Sequence, residues 1–211
     1  AGTAKTWVPE HLAAAISGQS TLVVQGSSGT TEDHLRYGWN YALLLAEGPS
    51  ERALVPSPVM TAMRTGGIVR FEEITRCPPE VQDGLISILS EKSLAVPQRG
   101  ADRAVRAAPG FKLIGTANLR DRGVHEMSSA LKRRFNFETV HPIGDPAHER
   151  ELVMKQLADR LGPADIRVDI GEDVTDILVQ TFQDLRTGRT REGAAVSRPD
   201  AVMSTAEAVN V

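Results

Sequence analysis

Apolar positions in this chain follow two rhythms: short apolar runs closed by polar or charged residues, and stretches whose apolar residues recur every three or four positions. The runs read as buried strands and the periodic stretches as amphipathic helices. The clearest run is 66–73, GGIVRFEE, where two glycines open Ile68, Val69 and Phe71, and Glu72 and Glu73 end it. Residues 21–25 read as an earlier strand, 110–118 (GFKLIGTAN) as a later one with a polar end at Thr116 and Asn118, and 137–143 as a closing strand. Between them, Val8, Leu12, Ala15 and Ile16 share one helical face. Pro49, Pro56 and Pro58 punctuate a loop before a short helix at 59–63. Pro78 and Pro79 start a helix carrying Val81, Leu85, Ile88 and Leu89 on one side. Residues 93–96 and 103–107 alternate around Gly100 as a hairpin made basic by Arg99, Arg103 and Arg106. A further helix follows at 127–135, capped by Ser128 or Ser129. Strands alternating with helices imply a three-layer α/β architecture with a mostly parallel sheet.

The alternation stops near residue 145. Leu152, Val153, Leu157 and Leu161, and then Val174, Ile177, Leu178, Phe182 and Leu185, keep helical spacing, 186–200 is Gly- and Arg-rich and reads as a mobile loop, and a third helix begins at 201. The chain therefore divides into an α/β core, 1–144, and part of a small all-helical domain, 145–211.

Composition narrows the function classes. At 211 residues, 41% hydrophobic and 24% charged, the chain is an ordinary globular one, and aromatics at 4% leave the core to Leu, Ile, Val and Ala. A formal net charge of -3 supplies no global basic field for nucleic acid. The single Cys77 excludes an internal disulfide and a cysteine metal cluster. No apolar run is long enough for a helical membrane span, so the expected location is the cytoplasm, with no membrane partner.

Candidate chemistry sits at the ends of the runs. Two carboxylates at a strand tip suit a cation and a reaction, because neighbouring strand residues point to opposite faces. AGTAKT, 1–6, precedes a helical pattern, and its Lys5 and Thr6 match the end of G-x-x-x-x-G-K-[ST], a phosphate loop delivering backbone N–H groups at a helix start. Ala4 replaces the last Gly of that pattern. A second glycine-rich stretch, GSSGTT at 26–31, is a decoy: Glu32 and Asp33 stand where Lys and a hydroxyl are needed, and carboxylates repel phosphates.

In this order the pieces resemble an AAA+ ATPase of the MoxR type, close to McrB-like proteins. AGTAKT resembles the end of Walker A; GGIVRFEEITRCPPEVQDGLISILSEK resembles Walker B and its helix; GFKLIGTAN resembles sensor 1; SSALKRRFNFE is similar to the arginine-finger segment. The resemblance implies a P-loop NTPase whose central parallel sheet lacks its first strand, a partial helical lid, and ends cut on both sides. It implies that Ala1, Gly2, Thr3, Ala4, Lys5 and Thr6 cradle ATP, with Lys5 on the outer phosphates. Thr6 and Glu72 would hold Mg2+. Glu73 would polarise the attacking water, Asn118 would orient that water and sense the nucleotide, and Arg134, with Arg133 second, would act as the finger on a neighbouring subunit. A finger acting in trans implies a ring, by similarity a hexamer, and the hairpin around Gly100 resembles one that faces the ring pore.

The implied function is an ATP-hydrolysing, chaperone-like remodeller or maturation factor for a client protein, possible partners including one with a von Willebrand factor A domain. The alternatives are a GTP-driven, McrB-like restriction motor, disfavoured by the acidic balance, and a non-catalytic nucleotide-dependent scaffold. Three residue choices depart from the pattern. Glu72 is one methylene longer than the usual Asp, Arg70 interrupts an apolar strand and needs a partner, and 204–208 (STAEA) lacks a sensor 2 Arg.

Overall fold

The computed structural model describes residues 5–96, 104–118, 123–161, 172–197 and 204–205, which fall into two compact units, one spanning Thr6–Phe137 and the other containing Glu138–Val211.

In the first unit, helix α1 (Trp7–Ser17) leads to β1 (Val23–Gln25), β2 (Tyr37–Trp39), α2 (Tyr41–Glu47), β3 (Leu54–Pro56), α3 (Pro58–Thr65) and β4 (Ile68–Glu72). It continues through α4 (Pro79–Glu91), β5 (Ser93–Ala95), β6 (Ala104–Arg106), β7 (Lys112–Gly115) and α5 (Ser129–Lys132). Strands β1, β4 and β7 form a parallel sheet with β4 in the middle, Val24 opposite Phe71 and Phe71 opposite Gly115. This is the expected α/β fold with a parallel sheet. Every residue of β4 is buried, as a central parallel strand covered on both faces requires. Val69 and Phe71 join the main core with Val59, Met60 and Met63 of α3 and Val81, Leu85 and Ile88 of α4. Full burial of such a side chain contributes roughly 1.5–3 kcal/mol. Ile68, Arg70 and Glu72 alternate onto the opposite face, and α1 packs on β4 with Ala13 fully buried.

Local chemistry explains where the elements begin and end. Ser57 caps α3, accepting Met60 N–H at Oγ (3.0 Å) and donating its hydroxyl to Leu35 O (2.8 Å), with Pro58 following. Gly66 ends α3 at φ 73°, where a Cβ would strike Pro109 O, so the first glycine of GGIVRFEE serves the helix end as well as the strand start. Gly26, just after β1, donates its N–H to Glu72 O (2.7 Å). A Cβ there would lie 2.8 Å from Glu72 O and nearer still to Glu73 O. GSSGTT is thus a polar turn that seats the β4 tip. Cys77 is buried; burial pushes its thiol above the ordinary value, against hydrogen bonding by Thr30 and Ser27, so it persists as the unreactive thiol.

Several expectations need correction. The loop before α3 contains β3, which pairs antiparallel with β2, Gly38 opposite Val55; such short strands carry too little alternation to announce themselves. Residues 137–143 form no strand: Phe137, Val140 and Ile143 recur every third position rather than every second, Pro142 has no N–H to give a ladder, and Phe137 is exposed. Helix α1 buries Pro9 and Ala13, leaving Val8, Leu12 and Ile16 exposed. The hairpin forms, Leu94 opposite Val105, while Arg99, Gly100 and Arg103 lie outside the described residues.

In the second unit, α6 (Pro146–Leu161) and α7 (Glu172–Thr187) pack through Val153, Val179 and Phe182, whereas Val174 and Ile177 are exposed. Arg186, expected in a loop, belongs to α7 and makes the unit's main polar contact. Its Nη2 and Nη1 donate to Glu149 Oε1 (2.6 Å) and Oε2 (2.8 Å). Gln183 Nε2 also donates to Oε2 (3.2 Å) and Thr205 Oγ1 to Oε1 (2.7 Å). Of the third helix expected from 201, Ser204 and Thr205 are described. Burial pushes the Glu149 carboxyl up, but hydrogen bonds from Arg186, Thr205 and Gln183, with the Arg186 charge, outweigh it and hold the group below the ordinary carboxylate value.

Two predictions follow from these contacts. Gly26→Ala should destabilise the first unit by about 1–3 kcal/mol through overpacking against backbone, measured by urea unfolding; Gly38→Ala, whose Cβ would meet nothing within 4 Å, should change little. Glu149→Ala should cost the helical unit about 3–5 kcal/mol by removing the carboxylate that neutralises the buried Arg186 charge. Because the folded pKa of Glu149 is depressed, its contribution is complete above the ordinary value of 4.5 and disappears as pH falls through the lower folded value. Helical CD against pH should show this loss in the unaltered chain and not in Glu149→Gln.

Candidate functional site

Strand β4 points its last carboxylates at the carboxyl ends of the parallel strands, where open α/β sheets place their ligand crevice. From the β7 side, Thr116 clamps this tip. Its N–H donates to Phe71 O (2.8 Å), its carbonyl accepts Ile74 N–H (2.9 Å), and its Oγ1 accepts Glu73 N–H (3.0 Å). The same hydroxyl donates to Glu72 Oε2 at 2.6 Å.

Glu72 is 4% exposed, so its charge needs partners. Arg70 Nη1 donates to Oε1 (3.0 Å), and Oε2 accepts Thr116 Oγ1 and Thr6 Oγ1, the latter at 3.2 Å. Arg70, itself 7% exposed, donates Nε and Nη2 to Ser20 O at 3.2 and 3.0 Å. The arginine that interrupts an apolar strand is therefore a satisfied buried cation, paired along one face of β4 with the acid two residues on. Period-two alternation carried this signal, since residues 70 and 72 must share a face; Thr116 and Gly26 could be assigned only once the strand register was known.

Glu73 leaves the strand. Its backbone is left-handed, φ 54° and ψ 45°, a conformation costing a non-glycine residue on the order of 1 kcal/mol or more. The Thr116 hydrogen bond holds it there, and strain of this kind concentrates at functional positions. The turn, rather than strand alternation, separates the two acids: Glu72 is buried, while the Glu73 side chain is 31% exposed and accepts Arg76 Nε at Oε2 (3.2 Å).

Thr6 sits at the N-cap of α1, but its hydroxyl makes no cap bond and reaches Glu72 instead. A hydroxyl and one carboxylate oxygen converging in this way are hard donors suited to a magnesium-like cation, which is held by one or two carboxylates plus waters and phosphate oxygens. Among the described residues no group of three or more His, Cys, Asp or Glu could hold a metal ion, so the donors fit a cation arriving with phosphate oxygens better than a protein-only cage.

The other expected site residues are less closely gathered. Lys5 is half-buried in the turn immediately before Thr6. Asn118 is half-buried two residues beyond Thr116. Arg134 lies past the end of α5 and is exposed but braced, its Nε donating to Ser90 Oγ (2.9 Å) and its Nη1 to Ala130 O (2.8 Å). Arg133, the C-cap of α5, is exposed, with no side-chain partner among the described residues. Ala1, Gly2, Thr3 and Ala4 lie outside the described residues. Among those described, no helix is long and apolar enough to cross a membrane.

Residues 1–135 match the AAA domain (dynein-related subfamily), and residues 147–211 match the YehL-like AAA+ ATPase C-terminal domain. The chain is 52% identical over 211 residues to the protein YehL of Escherichia coli, covering all of this chain and 58% of that relative. It is 29% identical over 203 residues to a Staphylococcus haemolyticus protein, covering 93% of this chain and 71% of the relative. Among solved structures, NtrX from Brucella abortus in complex with ADP superposes with a TM-score of 0.57 at 16% identity, over 100% of this chain and 43% of that one, a likeness of fold. With both parts of the chain matched and the parallel sheet and paired acids in place, the chain belongs to the AAA+ ATPase family, its first 135 residues to the dynein-related subfamily of AAA domains.

Proposed function

We propose that this chain is the nucleotide-hydrolysing part of an AAA+ machine of the MoxR type, which uses ATP to remodel or mature a client protein in the cytoplasm. The observation that carries this reading is the convergence of Thr6 Oγ1 and Glu72 Oε2 at 3.2 Å beside a left-handed Glu73 whose carboxylate is turned away from the buried pair. Thr6 and Glu72 would hold the Mg2+ of a bound nucleotide, which would supply charge neutralisation at the outer phosphates. Lys5 would reach the outer phosphates, with Ala1, Gly2, Thr3 and Ala4 as the backbone cradle. Glu73, freed from Arg76, would orient and polarise the attacking water, and Asn118 would hold that water.

Arg133 and Arg134 would serve the nucleotide of a neighbouring copy. The bracing of Arg134 by Ser90 and Ala130 and the openness of Arg133 suit a pair in which one arginine is fixed and the other reaches out. This requires a ring, for which a hexamer is the family's usual form. The chain spans 58% of the length of its YehL relative, so client, ring and any partner carrying a von Willebrand factor A domain are proposals about the whole protein. The ADP bound to the NtrX structure supports a nucleotide ligand only by analogy of fold.

The test is Glu73→Gln. ATP turnover should fall by about 10²- to 10⁴-fold, as for loss of a positioned base, while nucleotide binding measured by calorimetry stays within a few-fold of the unaltered chain. Undiminished turnover would remove Glu73 from the reaction.

A further inference from the structure

We propose that Arg70 is a positioning residue that fixes which oxygen of Glu72 is presented to the cation of a bound nucleotide, a proposal resting on the reading of Glu72 given above. A glutamate at a strand end has three side-chain torsions and two equivalent oxygens, so its carboxylate can rotate or withdraw unless it is held. Arg70 holds it. Its Nη1 occupies Oε1 at 3.0 Å, while Nε and Nη2 grip Ser20 O, in the segment joining α1 to β1, at 3.2 and 3.0 Å. The guanidinium is planar and carries its donors in a rigid fork, so anchoring two of its nitrogens on a backbone carbonyl fixes the direction of the third.

The two oxygens of Glu72 thereby acquire different partners. Oε1 faces the Arg70 guanidinium, and among the described residues Oε2 faces hydroxyls, those of Thr116 and Thr6. A hydroxyl both donates and accepts and can rotate its proton aside, so Oε2 is the oxygen that can change partners. The extra methylene of Glu72 gives the carboxylate the length to meet Arg70 at one oxygen and Thr6 at the other. Arg70 also leaves the buried pair neutral, which suits a cation bound together with nucleotide rather than alone.

The test uses the full chain and ADP titrated by calorimetry, once in EDTA and once with Mn2+, after melting curves establish folding. Arg70→Lys keeps the charge but cannot grip Ser20 O and Glu72 together; Arg70→Gln keeps a planar donor without the charge. Either variant, once folded, should bind ADP in EDTA as the unaltered chain does. Either should lose about tenfold or more of the tightening that Mn2+ confers, the scale on which residues behind a metal ligand act. Glu72→Gln should lose the same gain, and Arg70→Lys combined with Glu72→Gln should lose no more than Glu72→Gln alone. A full Mn2+ gain in folded Arg70→Lys would overturn the positioning role and leave the site reading intact. Failure of both Arg70 variants to fold would assign Arg70 to the fold alone and likewise overturn it. No ADP binding by the unaltered chain under either condition would overturn the site reading itself, and this proposal with it.

Discussion

A carboxylate that is almost dry has to be neutralised where it stands, and much of the first unit is arranged around that requirement at Glu72. The strand delivering it is the middle one of three, so both neighbouring ladders fix its height and direction. Arg70 lies on the same face two residues earlier, Thr116 arrives from β7, and Thr6 from the start of α1. Each partner comes from a different segment, and the carboxylate is where those segments are tied together. Removing one partner from such a set is costly because the remaining charge stays buried, which explains why a strand otherwise made of Ile, Val and Phe tolerates an arginine.

The helical unit contains a second buried carboxylate, and the contrast shows what distinguishes a fastening from a site. Glu149 spends both oxygens on guanidinium, amide and hydroxyl donors contributed by α7 and Thr205, so its lone pairs are committed to holding the helices together. Glu72 commits one oxygen to a guanidinium and, among the described residues, gives the other to hydroxyls. Burial is similar; the identity of the donors differs.

What could be read from the sequence follows the range over which each signal acts. Strand β4, helix α4 with Val81, Leu85 and Ile88, and the Ser128 cap of α5 were legible because run length, periodicity and capping are local. The pairing of β2 with β3 was not, since both strands have three residues and β3 lies among prolines that look like loop. The buried face of α1, at Pro9 and Ala13, is not legible, because apolar spacing marks a stripe without saying what covers it. Residues 137–143 are a short apolar-containing run, but a strand needs a partner that no local pattern supplies, and Pro142 cannot donate to one. At the site, the paired acids and Thr6 were visible as residue types in order. The left-handed turn at Glu73 and the several bonds of Thr116 depend on β4 and β7 standing in register, information distributed over segments more than forty positions apart. Composition hides Arg186: a Gly- and Arg-rich stretch reads as loop, although its first two residues end α7.

The Arg70 and Glu72 pair has a consequence for how this sequence can drift. Replacing either residue alone by an apolar one strands a buried charge of opposite sign, so both single steps lead downhill in stability. A strand apolar at both 70 and 72 is two substitutions away, with a poorly folded intermediate between. The pair is therefore a historical commitment: once both members were present, each became the reason the other cannot be exchanged, and change at this strand tip has to come as a coordinated double step.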